Sequence, residues 1–102
     1  MKGLDDLSEV LTTDSTYIQL MNHDWVYLAT VYVSENRRVV SYGLSSDMTK
    51  KFATSVVVKA LSANGKPKMI HSDMGSQYTS SLFEGTLQNA GVVHSYSRKG
   101  HT

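Results

Sequence analysis

The sequence predicts one mixed α/β domain, a five-stranded sheet with flanking helices. Three observations predict it. Between Val10 and Leu44, three runs rich in Val, Thr, Tyr and Ile are separated by short polar breaks, the pattern of antiparallel strands joined by hairpins. Beyond Asp47 the apolar spacing lengthens to that of an amphipathic helix. From Lys68 onward the pattern runs strand, helix, strand, an order that calls for parallel strands joined by crossovers.

The first strand is expected over Val10–Leu20 and the second over Trp25–Val33, with Met21-Asn22-His23-Asp24 as the hairpin between them. Ser34-Glu35-Asn36 turns the chain into a third strand beginning at Arg37-Arg38 and running to Leu44. Asp47 or Thr49 caps a helix whose apolar positions Phe52, Val56, Val57, Ala60 and Leu61 share one side, and Asn64-Gly65 ends it before Pro67. Lys68–His71 forms a fourth, short strand. Thr79 or Ser80 caps a second helix that buries Leu82, Phe83 and Leu87 and closes at Asn89-Ala90-Gly91, and Val92-Val93 opens the fifth strand. Trp25, Met48, Phe52 and Phe83 are expected in the core or in an interface.

A chain of 102 residues has room for a single domain, residues 1–102. With 40% hydrophobic and 19% charged residues and one proline, its composition is that of a globular protein. The absence of cysteine excludes disulfides and thiolate-ligated metal centres. No window approaches a membrane span and the acidic start does not suit a signal peptide, so a cytoplasmic protein is expected. A net charge of +1 implies no nucleic-acid partner on its own.

Two acids stand out. Asp14 lies in Thr-Thr-Asp-Ser-Thr-Tyr on the first strand, and Asp73 lies in His-Ser-Asp-Met-Gly-Ser-Gln-Tyr-Thr-Ser directly after the fourth. In open α/β sheets, ligands bind outside the carboxyl ends of the strands, so both aspartates are placed where they can converge. A carboxylate pair suits a hard divalent cation whose remaining ligands are water and phosphate oxygens. Holding two ions for an in-line displacement calls for a further acid. Taken singly, Asp14 is more simply an exposed strand residue and Asp73 the head of an Asx turn. His71 is more simply a satisfied strand-end histidine than a catalytic base, and His23, His71, His94 and His101 lack the spacing of a zinc site.

Taken in order, Thr13-Asp14-Ser15-Thr16-Tyr17, Trp25 to Val31, Arg37-Arg38-Val39-Val40, His71 to Ser80, and Ser95-Tyr96-Ser97-Arg98-Lys99-Gly100 resemble the catalytic core of insertion-sequence transposases related to retroviral integrases. The resemblance implies a ribonuclease-H-like fold and a site of two aspartates and a glutamate that holds Mg2+ or Mn2+ for DNA strand cleavage and transfer. Asp14 and Asp73 match the two aspartates. The family's glutamate follows further along than Thr102, and Glu84 does not match its motif, so the domain is expected to be partial and this chain inactive, or nearly so, alone. Departures at Leu11, Ser15, Val33, Met74 and His101 fit a decayed or truncated copy. Gln77 and Tyr78 either contact DNA beside the metal or fix the turn and pack the helix start. Lys66, Lys68, Arg98 and Lys99 are candidates for phosphate contacts, whereas Arg37-Arg38 reads as a solvated hairpin flank. Implied partners are DNA and further copies of the chain, with no membrane. The alternative is a non-catalytic, self-associating remnant with weak nucleic-acid binding.

Overall fold

In the computed structural model, which describes residues 10–47 and 49–97, the β-rich runs form β1 (Val10–Gln19), β2 (Trp25–Val33) and β3 (Val39–Ser45). They are followed by α1 (Lys50–Asn64), β4 (Met69–Ser72), α2 (Ser81–Ala90) and β5 (Val93–Tyr96). The expected Met48 core contact and the Arg98 and Lys99 phosphate contacts lie outside the described residues.

The β1–β2 hairpin turns at Leu20–Asp24, where His23 takes the left-handed conformation at φ 74°, as the last residue of a three-residue hairpin loop does. That turn sets the register: Thr12 faces Tyr32, and Asp14 faces Thr30. β3 pairs antiparallel with β2, while β4 and β5 add in parallel beyond β1, giving the order β3-β2-β1-β4-β5. The mixed five-stranded sheet is the one expected, with β1 at its centre.

Alternation along β1 separates the two faces of the sheet. Leu11 and Thr13 are buried, and Leu11, Ala29, Val31, Val33 and Ile70 meet Val56, Val57, Ala60, Phe83 and Leu87 of the helices in one apolar cluster. Asp14 points the other way and is exposed. Ser41 ties sheet to helix by donating from Oγ to the Val56 carbonyl at 2.9 Å. Trp25 is no part of the core, the first of the two places expected for it: it is 53% exposed. It sits at the hairpin end, beyond the reach of the helices, edge-on to Tyr17, which in turn packs against Tyr27.

Both helices begin where hydroxyl caps were expected. Thr49 Oγ1 accepts from the Phe52 amide at 3.1 Å and Ser80 Oγ from the Phe83 amide at 3.2 Å. Ser80→Ala is therefore expected to cost about 1 kcal/mol, read as a lower urea midpoint; an unchanged midpoint would show that solvent replaces the cap. At the far end of α2, Gly91 takes φ 74° and its amide bonds back to Leu87 and Gln88, a left-handed C-cap that favours glycine. No helix among the described residues is long and apolar enough to cross a membrane.

Candidate metal site at the strand ends

The β1–β4 ladder carries both aspartates to one place. Its last pair is Thr12 with His71, so Asp14 stands two residues further along β1, and Asp73 is the first residue after the end of the neighbouring parallel strand β4. Past that pair the ladder ends and a crevice opens. It is a cavity of about 290 Å3 lined by Thr12, Thr13, Asp14, Tyr32, His71, Ser72, Asp73 and Ser97.

Each carboxylate is anchored by the backbone. Asp14 Oδ1 accepts from the Ser15 amide at 2.9 Å, and Asp73 Oδ1 from the Gly75 amide at 2.8 Å. The second is the expected Asx turn, and it coexists with a place in the crevice. Space at Gly75 is tight: a Cβ would come within 3.0 Å of Asp73 Oδ1 and 3.1 Å of the Gln77 amide oxygen, so a larger residue would press on the side chains of the turn. With one oxygen of each acid engaged, the other remains for a cation. All-oxygen donors of this kind fit Mg2+ or Mn2+ and not a soft metal. Among the described residues, no group of three or more His, Cys, Asp or Glu gathers at one point, so the donor set is that of a partial shell.

The His71 ring is held by two serines, Nδ1 at 3.0 Å from Ser95 Oγ on β5 and Nε2 at 2.8 Å from Ser97 Oγ just beyond it. This is the satisfied strand-end histidine expected, now placed in the crevice wall. Tyr32, Thr12 and Ser97 were not singled out in the sequence. Counting across the hairpin from its turn would have found Tyr32, because that register sets it opposite Thr12.

Three candidate contact residues take other positions. Tyr78 is fully buried, so it belongs beneath the site and not on a DNA-facing surface. The turn at Gly75, closed by the Tyr78 amide on the Gly75 carbonyl, folds its ring under the sheet against Phe83. Lys66 and Lys68 precede β4, at the opposite end of that strand from Asp73, roughly 15 Å away at about 3.3 Å per residue. The Lys66 ammonium lies against Gly91 at the C-terminus of α2, where the helix dipole favours a cation. Gln77 keeps its place beside the Asp73 turn and lines a cleft with Thr49, Lys50, Ser76 and Ser80. Glu84 engages His94 and lines no part of the crevice.

The Tyr78 hydroxyl lies beside those of Thr13 and Ser15 but completes no hydrogen bond of good geometry. Burial raises its pKa, the two hydroxyls pull it back, and the Asp73 and Asp14 carboxylates push it up again. A folded-state value above the ordinary 10.0 means the unfolded chain loses this proton first. Stability therefore holds below about pH 10 and falls as pH rises through the folded-state value. Tyr78→Phe is expected to remain within about 1 kcal/mol of wild type at pH 8 and to lose less stability than wild type above pH 10, by urea unfolding. Equal alkaline losses would place the hydroxyl in water.

A family model described as "Integrase core domain" matches residues 8–102. The transposase for insertion sequence element IS904 of Lactococcus lactis is 35% identical over 96 residues, covering 92% of this chain and 38% of that protein. Transposase InsF for insertion sequence IS3A of Escherichia coli is 32% identical, covering 85% of this chain and 31% of that protein. The chain thus spans about a third of the length of these relatives. Among solved structures, the simian T-cell lymphotropic virus intasome in complex with a PP2A regulatory subunit superposes with a TM-score of 0.81 at 21% identity, over 90% of this chain and 32% of that one. The HTLV-2 integrase catalytic core domain in complex with magnesium gives 0.78 at 21% identity, over 88% of this chain and 60% of that one. At such identities the likeness is one of fold.

Proposed function

Because the chain belongs to the integrase core domain family, with insertion-sequence transposases among its relatives, we propose that it is the part of a transposase catalytic core that supplies two aspartates to a divalent-metal site acting on DNA. The observation that carries this reading is the register of β1 and β4, which sets Asp14 and Asp73 level at one crevice. Asp14 and Asp73 would hold Mg2+ or Mn2+. When bound, the metal activates the attacking oxygen and stabilises the leaving oxygen of a phosphodiester.

The protein's own groups do the rest. The backbone amides of Ser15 and Gly75 fix the two carboxylates, and the serine-held His71 ring walls the crevice between β1 and β5. Gln77, which shares a cleft with Lys50 at the start of α1, would steady the DNA backbone, and Arg98 and Lys99 remain proposed phosphate contacts. In the whole protein this site would cut at the element end and join the freed 3′ hydroxyl to target DNA. Strand cleavage and transfer are proposed for the whole protein and not for the 102-residue chain alone. A cytoplasmic location belongs to the same proposal.

Titration calorimetry with MnCl2 tests it. Weak binding by the purified chain, lost in Asp14→Asn, is the expected result; no binding by wild type rejects the metal-site reading. A second reading rests on the sheet face that carries Asp14, where Tyr42, Leu44 and Val93 are 60%, 60% and 57% exposed. Such a face favours self-association, and the HTLV-2 integrase core has been solved in dimeric and trimeric forms. Sedimentation should find dimers or larger species, and a monomer at every concentration rules this out.

A further inference from the structure

Behind Asp73, on the helix-covered face, an unbroken hydrogen-bonded chain crosses three elements. Glu84 Oε1 on α2 lies 2.9 Å from His94 Nδ1 on β5, and His94 Nε2 lies 2.8 Å from Ser72 Oγ on β4. Ser72 Oγ in turn donates to the Asp73 carbonyl oxygen at 2.8 Å. The direction of the chain follows from that last link. A carbonyl oxygen only accepts, so the single Ser72 proton is committed to it, and Ser72 Oγ must accept from Nε2–H. One further proton then lies between Nδ1 and Glu84 Oε1.

The surroundings hold the His94 and Ser72 links of this chain, while the Glu84 side chain at its outer end is 39% exposed. The His94 side chain is 5% exposed, its ring packed between Phe83 at 5.2 Å and Tyr96 at 4.2 Å. Ser72 is 1% exposed. The β4–β5 ladder sets His94 opposite Ile70, a position that an apolar residue would fill without any partner. A polar ring there is tolerated only because both its nitrogens are satisfied.

We propose that Glu84, His94 and Ser72 form a positioning relay for Asp73, fixing the peptide from which its carboxylate projects into the crevice. The proposal rests on the reading of Asp73 as a metal ligand, and outer partners of this kind orient a ligand without touching the ion. His94 and Glu84 act through Ser72 and are positioning residues. Neither belongs to the motif blocks that carry the family resemblance.

The test uses the full chain with His94→Phe, Glu84→Ala, Glu84→Gln and Asp73→Asn. Phenylalanine keeps a ring between Phe83 and Tyr96, so His94→Phe removes the nitrogens and retains the packing. Glutamine can donate to Nδ1 while Nε2–H still serves Ser72, so Glu84→Gln keeps the relay and Glu84→Ala breaks it. Two quantities are measured: Mn2+ affinity by electron paramagnetic resonance, and the amide proton shift of Gly75, which reads its bond to Asp73 Oδ1. His94→Phe and Glu84→Ala should weaken Mn2+ binding about tenfold and move the Gly75 resonance, while Glu84→Gln matches wild type in both. Wild-type affinity and an unmoved Gly75 resonance in His94→Phe overturn the relay, as does a Glu84→Gln variant as impaired as Glu84→Ala. If wild type binds no more Mn2+ than Asp73→Asn, the metal-site reading fails, and the Gly75 resonance alone decides the relay by the same comparison.

Discussion

Asp73→Asn is expected to weaken divalent-cation binding by on the order of 100-fold, since the proposed site draws on two carboxylates among the described residues and depends on both, while leaving the fold as stable as wild type. The two halves of that expectation come from different oxygens of one side chain. Oδ1 accepts from the Gly75 amide, and asparagine retains an acceptor in the same place. What it removes is one of two negative charges that the β1–β4 register brings to a single crevice. Asp73→Ala removes the turn acceptor as well and should cost about 1 kcal/mol more. Calorimetry with MnCl2 and urea unfolding of the two variants separate the roles. If Asp73→Asn binds as wild type does, and only Asp73→Ala is altered, Asp73 is a turn residue and nothing else.

Asp14 and Asp73 were legible because each sits on a feature that short-range patterning marks. One lies on a β-branched strand, the other at the end of a short strand after a well-capped helix, and adjacent parallel strands do the rest. Tyr78 was not legible in this way. A tyrosine in a polar loop reads the same whether its ring faces water or core, and only the turn at Gly75, folding back over Phe83, decides it. Lys66 and Lys68 misled for a related reason: closeness in sequence to Asp73 becomes distance once four extended residues lie between. The strand through Trp25 was plain, but where the helical cover stops depends on the docking of α1, so its exposure was not. The link from Glu84 through His94 to Ser72 needs the β4–β5 register and the rotation of α2 together, and no local pattern carries both.

Phe83→Ala should produce the largest loss of stability among these variants. The ring is fully buried, edge-on to Tyr78 at 5.2 Å and tilted against His94 at 5.2 Å. Emptying such a site costs about 3 to 5 kcal/mol, against a total near 5 to 15 kcal/mol for a domain, and on the order of 20 °C in Tm for a chain this short. The effect should not stop at stability. Phe83 supports Tyr78 below Asp14 on one side and the ring of His94 behind Asp73 on the other, so the folded variant should also bind Mn2+ more weakly. Leu87→Ala is the control. Leu87 is buried one turn further along the same helix, and its loss should cost about 2 to 5 kcal/mol with metal affinity unchanged in the folded protein. Both variants are to be compared well below their transitions, by the same Mn2+ titration. Equal affinities in the two would mean that the core carries the site as a rigid floor, indifferent to which of its residues is removed, and that the packing of Phe83 on Tyr78 and His94 has no bearing on how Asp14 and Asp73 are held.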